Sequence, residues 1–254
     1  MPDTTAEQTF DRLALPPAML ANLAQLEYST MTPIQAISLP LALAGHDLIA
    51  QAKTGSGKTA AFGLPLLNKL DTRRFTVQAM VLCPTRELAD QVTQEIRRLA
   101  RFEENIKVLS LVGGSALRNQ ATSLEKGVHV VVGTPGRIMD HLERGSLSLQ
   151  GLKMLVLDEA DRMLDMGFFD DIAKVARQCP KDRQTLLFSA TYPEGIAKLA
   201  SQFMREPQTV KVQAQHDAQK IKQIFYEVSN NERLHAVSQL LNHFRPESTL
   251  AFCN

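Results

Sequence analysis

Seven short apolar runs set the main constraint on the fold: DLIAQA (47–52), AMVLC (79–83), VLSLV (108–112), HVVVG (129–133), MLVLD (154–158), TLLFS (185–189) and TVKV (209–212). They lack alternation between polar and apolar residues, as expected of strands covered on both faces. Helix candidates lie between them, at Thr59–Leu70, Arg86–Arg101, Gly136–Arg144, Glu159–Met166 and Glu194–Phe203. This alternation predicts an α/β fold with a doubly wound parallel sheet, whose functional groups collect at the carboxyl ends of the strands.

After the last run the polar stretch QAQHDAQK (213–220) reads as a linker. Beyond it come a strand candidate at Ile224–Val228, a helix candidate at Asn231–Phe244 and a strand candidate at Thr249–Phe252. Residues 221–254 are too few to enclose a core, since units below about 40 residues usually need staples. The expected organisation is one complete domain over 1–212, the linker over 213–220 and the truncated start of a second α/β domain over 221–254. Phe225, Phe244 and Phe252 would there lack their normal cover.

The first chemical signal is AKTGSGKT (52–59), which follows a strand candidate and opens a helix, the context a phosphate loop requires. Gly55 and Gly57 let the backbone of Lys53, Thr54 and Ser56 wrap a phosphate, and the new helix offers unpaired N–H groups. Lys58 would neutralise β/γ-phosphate charge, and Thr59 sets a hydroxyl where Mg²⁺ would bind. The strict pattern starts with Gly and this one starts with Ala52. The acidic partner is Asp158-Glu159-Ala160-Asp161, directly after a buried strand candidate. Asp158 is the expected metal residue, held partly through water, and Glu159 the group that orients or deprotonates an attacking water. In isolation the same tetrapeptide could be a solvated helix start.

Charge and cysteine usage narrow the classes further. With 28 Lys+Arg against 27 Asp+Glu, no overall field would draw in a polyanion, so any nucleic-acid contact must be local. Cys83, Cys179 and Cys253 form no C-x-x-C pair, and His46, His129, His141, His216, His235 and His243 show no ligand spacing, which argues against a zinc site. Reduced thiols, no export signal and no long apolar segment fit a cytoplasmic protein with no membrane contact.

The ordered blocks resemble those of the DEAD-box RNA helicases over Phe10–Asn254. Besides AKTGSGKT and DEAD the chain holds TPIQ (32–35), PTRELA (84–89), Gly113-Gly114, TPGR (134–137), SAT (189–191) and LAFCN (250–254). QAKTGSGKTAAFGL, LCPTRELADQV and LDEADRMLDMGF are most similar to the bacterial DbpA type, which acts on large-subunit ribosomal RNA. The resemblance implies a RecA-like first domain that binds ATP and Mg²⁺, the first strand of a second RecA-like domain at LAFCN, RNA as partner, and a role in ribosome assembly. It also implies that Gln35 reads the adenine edge and that Tyr28 stacks on the base, the alternative for Tyr28 being ordinary packing under the N-terminal segment. The chain carries Glu27 where the family has Gly and Met31 where it has Pro. Ser189 and Thr191 resemble the block coupling hydrolysis to domain movement, and their hydroxyls could bond the Asp161 carboxylate or merely cap the next turn.

PTRELA, Gly113-Gly114 and TPGR all follow strand candidates, so they should share the edge that carries the phosphate loop. Pro84, Thr85, Arg86, Gly113, Gly114, Thr134, Pro135, Gly136 and Arg137 supply hydroxyls, guanidinium groups and exposed amides suited to a phosphodiester backbone, or alternatively serve as helix caps. No aromatic platform accompanies them in sequence, which predicts salt-dependent contact with little base readout. Arg97, Arg98 and Arg101 read instead as a solvated helix end. An arginine finger, which the family carries in a H-R-x-G-R block of its second domain, does not occur in these residues. The 254-residue chain alone is therefore expected to bind nucleotide and RNA weakly and not to unwind duplexes. The alternatives are a phosphate-loop ATPase with a non-RNA partner and a noncatalytic binding module.

Overall fold

The structure is a computed structural model that describes residues 8–212 and 224–251. The linker and the positions of Phe252, Cys253 and Asn254 lie outside the described residues, as do 221–223. The chain divides into two units, 1–214 and 215–254.

The first unit is built on a parallel seven-stranded sheet in the order β3-β4-β2-β5-β6-β1-β7. Its strands are β1 (Leu48–Gln51), β2 (Ala79–Leu82), β3 (Val108–Leu111), β4 (Val130–Gly133), β5 (Met154–Leu157), β6 (Gln184–Ser189) and β7 (Gln208–Lys211). Every apolar run of the sequence becomes a strand. β2, β4 and β5 are buried throughout because two apolar clusters sandwich the sheet, one holding Phe62, Phe188 and Ile96, the other Met163, Ile172 and Ile196. At the β7 edge only Val210 is buried, and Lys211 helps keep that edge wet.

Helices α1 (Pro17–Gln25), α2 (Pro33–Leu43), α3 (Lys58–Asn68), α4 (Arg86–Leu99), α5 (Leu117–Glu125), α6 (Pro135–Glu143), α7 (Ala160–Asp165), α8 (Phe169–Gln178) and α9 (Glu194–Phe203) cover the sheet. Proline stands at the first position of α1, α2 and α6, where its missing N–H costs nothing. Of these helices α1, α2, α5 and α8 have no counterpart among the sequence candidates.

In the second unit α10 (Arg233–Phe244) matches the candidate helix and buries none of its residues. The candidate strand Ile224–Val228 is a correction, since those residues form no strand. Among the described residues none pairs with it, and an extended segment without a ladder partner gains nothing from the strand conformation. Phe225 is 89% exposed and Phe244 51%, as expected of uncovered apolar residues.

Candidate functional site

Because the sheet is parallel, every β-strand's carboxyl end lies on one edge. Strand order then sorts the blocks: Gly113-Gly114 after β3, TPGR after β4, PTRELA after β2, DEAD after β5, SAT after β6 and the phosphate loop after β1. The first three are neighbours, and so are the last three.

In the phosphate half the loop base is fixed by Ala52 N donating to Ser189 O at 3.0 Å. Gly55 (φ +79°) and Gly57 (φ +90°) take the left-handed conformation that closes the loop onto α3. Lys53 is exposed, and Ser56 Oγ donates to Lys53 O at 2.7 Å, so that hydroxyl serves the loop itself. Lys58 opens α3 and its ammonium is buried without a hydrogen bond, 3.8 Å from Asp158 Oδ1. Asp158 is 3% exposed and accepts from Glu159 N at 3.0 Å. Burial drives its carboxyl up to about 6, against the pull of Lys58.

Glu159 sits in the left-handed region (φ +51°), a strained turn for a non-glycine residue, and caps α7. Its Oε1 accepts from Thr54 Oγ1 at 3.0 Å, and its Oε2 lies 3.4 Å from Arg162 Nη1. The phosphate loop therefore already touches the acidic block. Asp161 Oδ2 accepts from both Thr191 N and Thr191 Oγ1 at 2.9 Å. Burial raises the Asp161 carboxyl, but those hydrogen bonds outweigh it and hold the group below its ordinary range. Ser189 Oγ is buried and makes no hydrogen bond of ordinary geometry, yet it lies close enough to help keep Asp161 ionised.

Gln35 is buried at the third position of α2, and its amide is already engaged on both sides. Oε1 accepts from Thr32 N at 2.9 Å and Nε2 donates to Gly57 O at 3.0 Å. Thr32-Pro-Ile-Gln35 is thus a capping box whose glutamine also clasps the phosphate loop. One amide hydrogen and one lone pair remain for a ligand. Tyr28 packs edge-on to Phe10 with centroids 6.0 Å apart, and its hydroxyl donates to Glu95 Oε1 at 2.7 Å. A cavity of about 460 Å³ joins Tyr28, Gly55, Lys58, Thr59, Asp158 and Glu159. The wall facing the phosphate loop comes from Leu88, Gln91, Val92 and Glu95 of α4, which sequence reasoning missed. Their spacing of three and four residues on one helix was the available signal.

In the other half a groove of about 440 Å³ runs past Pro84, Thr85, Arg86, Gly113, Thr134 and Arg137. Thr85 caps α4 by accepting from Leu88 N at 3.3 Å. The Arg86 guanidinium covers the glycine turn so closely that a Cβ on Gly114 would fall 2.6 Å from its Nη1. Pro135 is buried, whereas Gly136 is exposed with open space where a side chain would stand. Arg137 is largely committed inward: Nη1 donates to Ser115 O at 3.0 Å and Gln120 Oε1 at 2.8 Å, and Nε lies 3.3 Å from Asp140. Gln120, buried and unforeseen, also donates to Val112 O and meets His141 Nε2, tying the glycine turn to α6. The expectation that no aromatic accompanies these blocks needs correction, because Phe168 and the exposed Met166 line the same groove. They arrive from the α7–α8 turn, distant in sequence. Arg97 and Arg98 are spent on Val108 O and Glu95.

Among the described residues Cys83 and Cys179 are free and buried, no cluster of three or more His, Cys, Asp or Glu could hold a metal, and no helix is long and apolar enough to cross a membrane.

Comparison with known proteins bears on both halves. The DEAD/DEAH box helicase family pattern matches residues 32–199. The chain is 53% identical to the ATP-dependent RNA helicase DbpA of Escherichia coli K12 over 94% of its own length and 52% of that protein's. It is 44% identical to the DEAD-box ATP-dependent RNA helicase CshA of Bacillus cereus, over 96% of its length and 46% of the relative's. It thus spans about half the length of these curated relatives. A crystal structure of a DEAD box protein from Methanococcus jannaschii superposes with a TM-score of 0.78 at 41% identity, covering 92% of this chain and 63% of that one. A variant of S. cerevisiae Dbp5 bound to RNA and ADP BeF3 gives 0.72 at 35% identity, covering 81% and 52%.

Proposed function

The chain belongs to the DEAD/DEAH box helicase family, and from that premise we propose that it is the ATP-binding part of an ATP-dependent RNA helicase. The activity is RNA-stimulated ATP hydrolysis coupled to local opening of a duplex. The observation that carries this reading is the buried Lys58 ammonium, which makes no hydrogen bond and faces Asp158 at 3.8 Å, on the same sheet edge as a groove lined by Arg86 and Arg137.

Lys58 holds the β- and γ-phosphates, the loop amides of residues 53–57 wrap them, and Glu159 orients the attacking water. The residues fit magnesium as one carboxylate and one hydroxyl, Asp158 and Thr59, completed by water and the nucleotide's phosphates, a pattern that ion favours. When bound, it would neutralise phosphate charge as the terminal phosphate is transferred. Gln35 spends its remaining donor and acceptor on the adenine edge, and Tyr28 faces the base. Asp161, Ser189 and Thr191 form the coupling between the acidic block and the strand beside it. Thr85, Thr134, Arg86 and the free edge of Arg137, with amides of Gly113, Gly114 and Gly136, hold the RNA backbone. Pro84 and Pro135 shape the two turns.

By its likeness to DbpA the RNA is ribosomal and the setting ribosome assembly in the cytoplasm. Residues 1–212 form the RecA-like ATP-binding domain, 213–220 the linker and 221–254 the opening of a second RecA-like domain. Assaying the longer protein with RNA and with DNA tests the reading. ATP hydrolysis stimulated by RNA, unmoved by DNA and abolished by Lys58→Ala is expected. Equal stimulation by DNA would favour a phosphate-loop ATPase with another partner, and RNA binding indifferent to Lys58→Ala with no hydrolysis would favour a binding module. The 254-residue chain alone is expected to release no strand from a duplex in the presence of ATP.

A further inference from the structure

Glu95 presents an anomaly within the proposed nucleotide cavity. It is a carboxylate in a wall that would surround a polyanion, where a negative charge opposes binding unless it does something else. Both its oxygens are occupied: Oε1 by the Tyr28 hydroxyl at 2.7 Å, Oε2 by Arg98 Nη1 at 2.9 Å. Arg98, one turn later on α4, steers the carboxylate toward the phenol and offsets part of its charge.

The Tyr28 ring has room to leave this position. Besides the cavity shared with the phosphate loop, it borders a second one of about 400 Å³ lined by Phe10, Leu20, Leu23 and Glu27. Beyond its packing against the core, two directional contacts set the orientation of the ring: the edge-on packing of Phe10, with ring planes at 79°, and the hydroxyl bond to Glu95. The first fixes one edge of the ring and tolerates sliding. The second is a short charge-assisted hydrogen bond that fixes the far end.

We propose that Glu95 is a positioning residue for nucleobase recognition, anchoring the Tyr28 ring as a fixed wall for the purine of an adenine nucleotide. This rests on the reading that Tyr28 faces the base. The phenol is pushed up to about 12, chiefly by burial and then by its bond to Glu95, so it stays a proton donor throughout the working pH range. A phenylalanine here would supply the same ring face without this anchor, so Glu95 matters because residue 28 is tyrosine.

Charge and hydrogen bonding are separated by comparing Glu95→Met with Glu95→Gln, which lose the same charge at similar length while only glutamine keeps an acceptor. Binding of ADP and of inorganic tripolyphosphate to the chain is measured for each, alongside Tyr28→Phe and Tyr28→Ala. Losing one hydrogen bond should weaken ADP roughly two- to tenfold in Glu95→Met and in Tyr28→Phe, with Glu95→Gln near the parent. Tripolyphosphate should bind Glu95→Met and Glu95→Gln equally, and the double variant Tyr28→Phe/Glu95→Met should bind ADP no worse than either single one. If Glu95→Met destabilises α4 too far to be measured, Tyr28→Phe breaks the same bond from the other side. ADP binding by Glu95→Met equal to that by Glu95→Gln, while Tyr28→Ala is impaired, overturns the anchoring role alone. ADP binding unchanged in Tyr28→Ala removes the underlying reading and this inference with it.

Discussion

Replacing Asp158 by asparagine should change how stability depends on pH, with a size set by the buried site. In the folded chain the Asp158 carboxyl ionises near 6 rather than 3.8, because its 3% exposure leaves little water to solvate the charge. Lys58 at 3.8 Å recovers only part of that loss. A folded-state value above the unfolded one means that the native chain binds the proton more tightly. Asp158 therefore contributes stability as pH falls from about 6 to about 4, and loses it as pH rises through about 6. Each tenfold change in proton affinity is worth about 1.4 kcal/mol, so the full swing is about 3 kcal/mol. The asparagine variant cannot titrate. Urea unfolding of both proteins at intervals from pH 4 to pH 8 should give a stability difference that moves by about 2 kcal/mol, most of that swing, in favour of the aspartate form toward acid pH. The constant offset between the curves also contains the cost of leaving Lys58 beside a neutral amide, so the pH-dependent part is the diagnostic one. Lys58→Met should shift the aspartate transition to higher pH, since the cation pulling it down is gone. A stability difference flat across this range would refute the assignment of Asp158 as a desolvated carboxylate poised for a cation.

The His129 imidazole is buried with Nδ1 accepting from Lys107 N at 3.0 Å and Nε2 facing Thr72 O at 3.3 Å, and burial lowers it below 6.5. Its neutral form is the folded one, so stability complete above 6.5 should fall as pH drops from there toward the folded value, and imidazole NMR titration should find that lower midpoint. Gln120→Leu strands Val112 O and His141 Nε2 and takes one partner from Arg137; unfolding stability should drop by about 1–3 kcal/mol for each group left unpaired, and RNA affinity of the longer protein should fall while nucleotide affinity holds. Gly57→Ala combines φ +90° with a Cβ 2.5 Å from Gln35 Nε2, so a loss of about 1–3 kcal/mol in thermal unfolding is expected, whereas Gly136→Ala, with nothing within 4 Å, should stay within about 0.5 kcal/mol.

β2, β4, β5 and β6 were legible in the sequence because a parallel strand buried on both faces leaves an uninterrupted apolar run, and even the edge strand β7, where only Val210 is buried, kept enough of that pattern to be read. Helices were legible less evenly: Lys58–Asn68, buried nearly all round, stood out because it follows the phosphate loop, while the one-sided Phe169–Gln178 was missed. Arg86–Leu99 alternates a buried face of Ala89, Val92 and Ile96 with charge, whereas Pro33–Leu43 is apolar nearly all round and interrupted by Pro40, and Leu117–Glu125 buries only Gln120. The strand candidate at Ile224–Val228, and the described part of the one at Thr249–Phe252, misled because apolar composition marks a segment that wants cover, and a strand forms only when a ladder partner supplies it.

The candidate site divides along the same line. Lys58, Thr59, Asp158 and Glu159 were legible because each lies within a few residues of the strand end that aims it. Glu95, Gln120 and Phe168 were not, because each reaches its place by packing: Glu95 from the third turn of a helix, Gln120 by tying the end of β3 to α6 beneath the groove, Phe168 from the turn between two helices. The deeper gap is the sorting of the motifs themselves. Along the chain the phosphate loop comes first and the acidic block comes after PTRELA, Gly113-Gly114 and TPGR. In space β5 and β6 stand between β2 and β1, bringing the acidic block and SAT to the phosphate loop and leaving β3, β4 and β2 together on the far side. That order is set by which strands pair, and strand pairing depends on cross-strand packing that no local pattern encodes. A local motif therefore identifies what a residue can do, while the sheet decides which of those capabilities meet. Here the groove and the cavity beside the phosphate loop share one edge, and α4 links them, beginning at the groove with Thr85 and Arg86 and lining the cavity from Leu88 to Glu95.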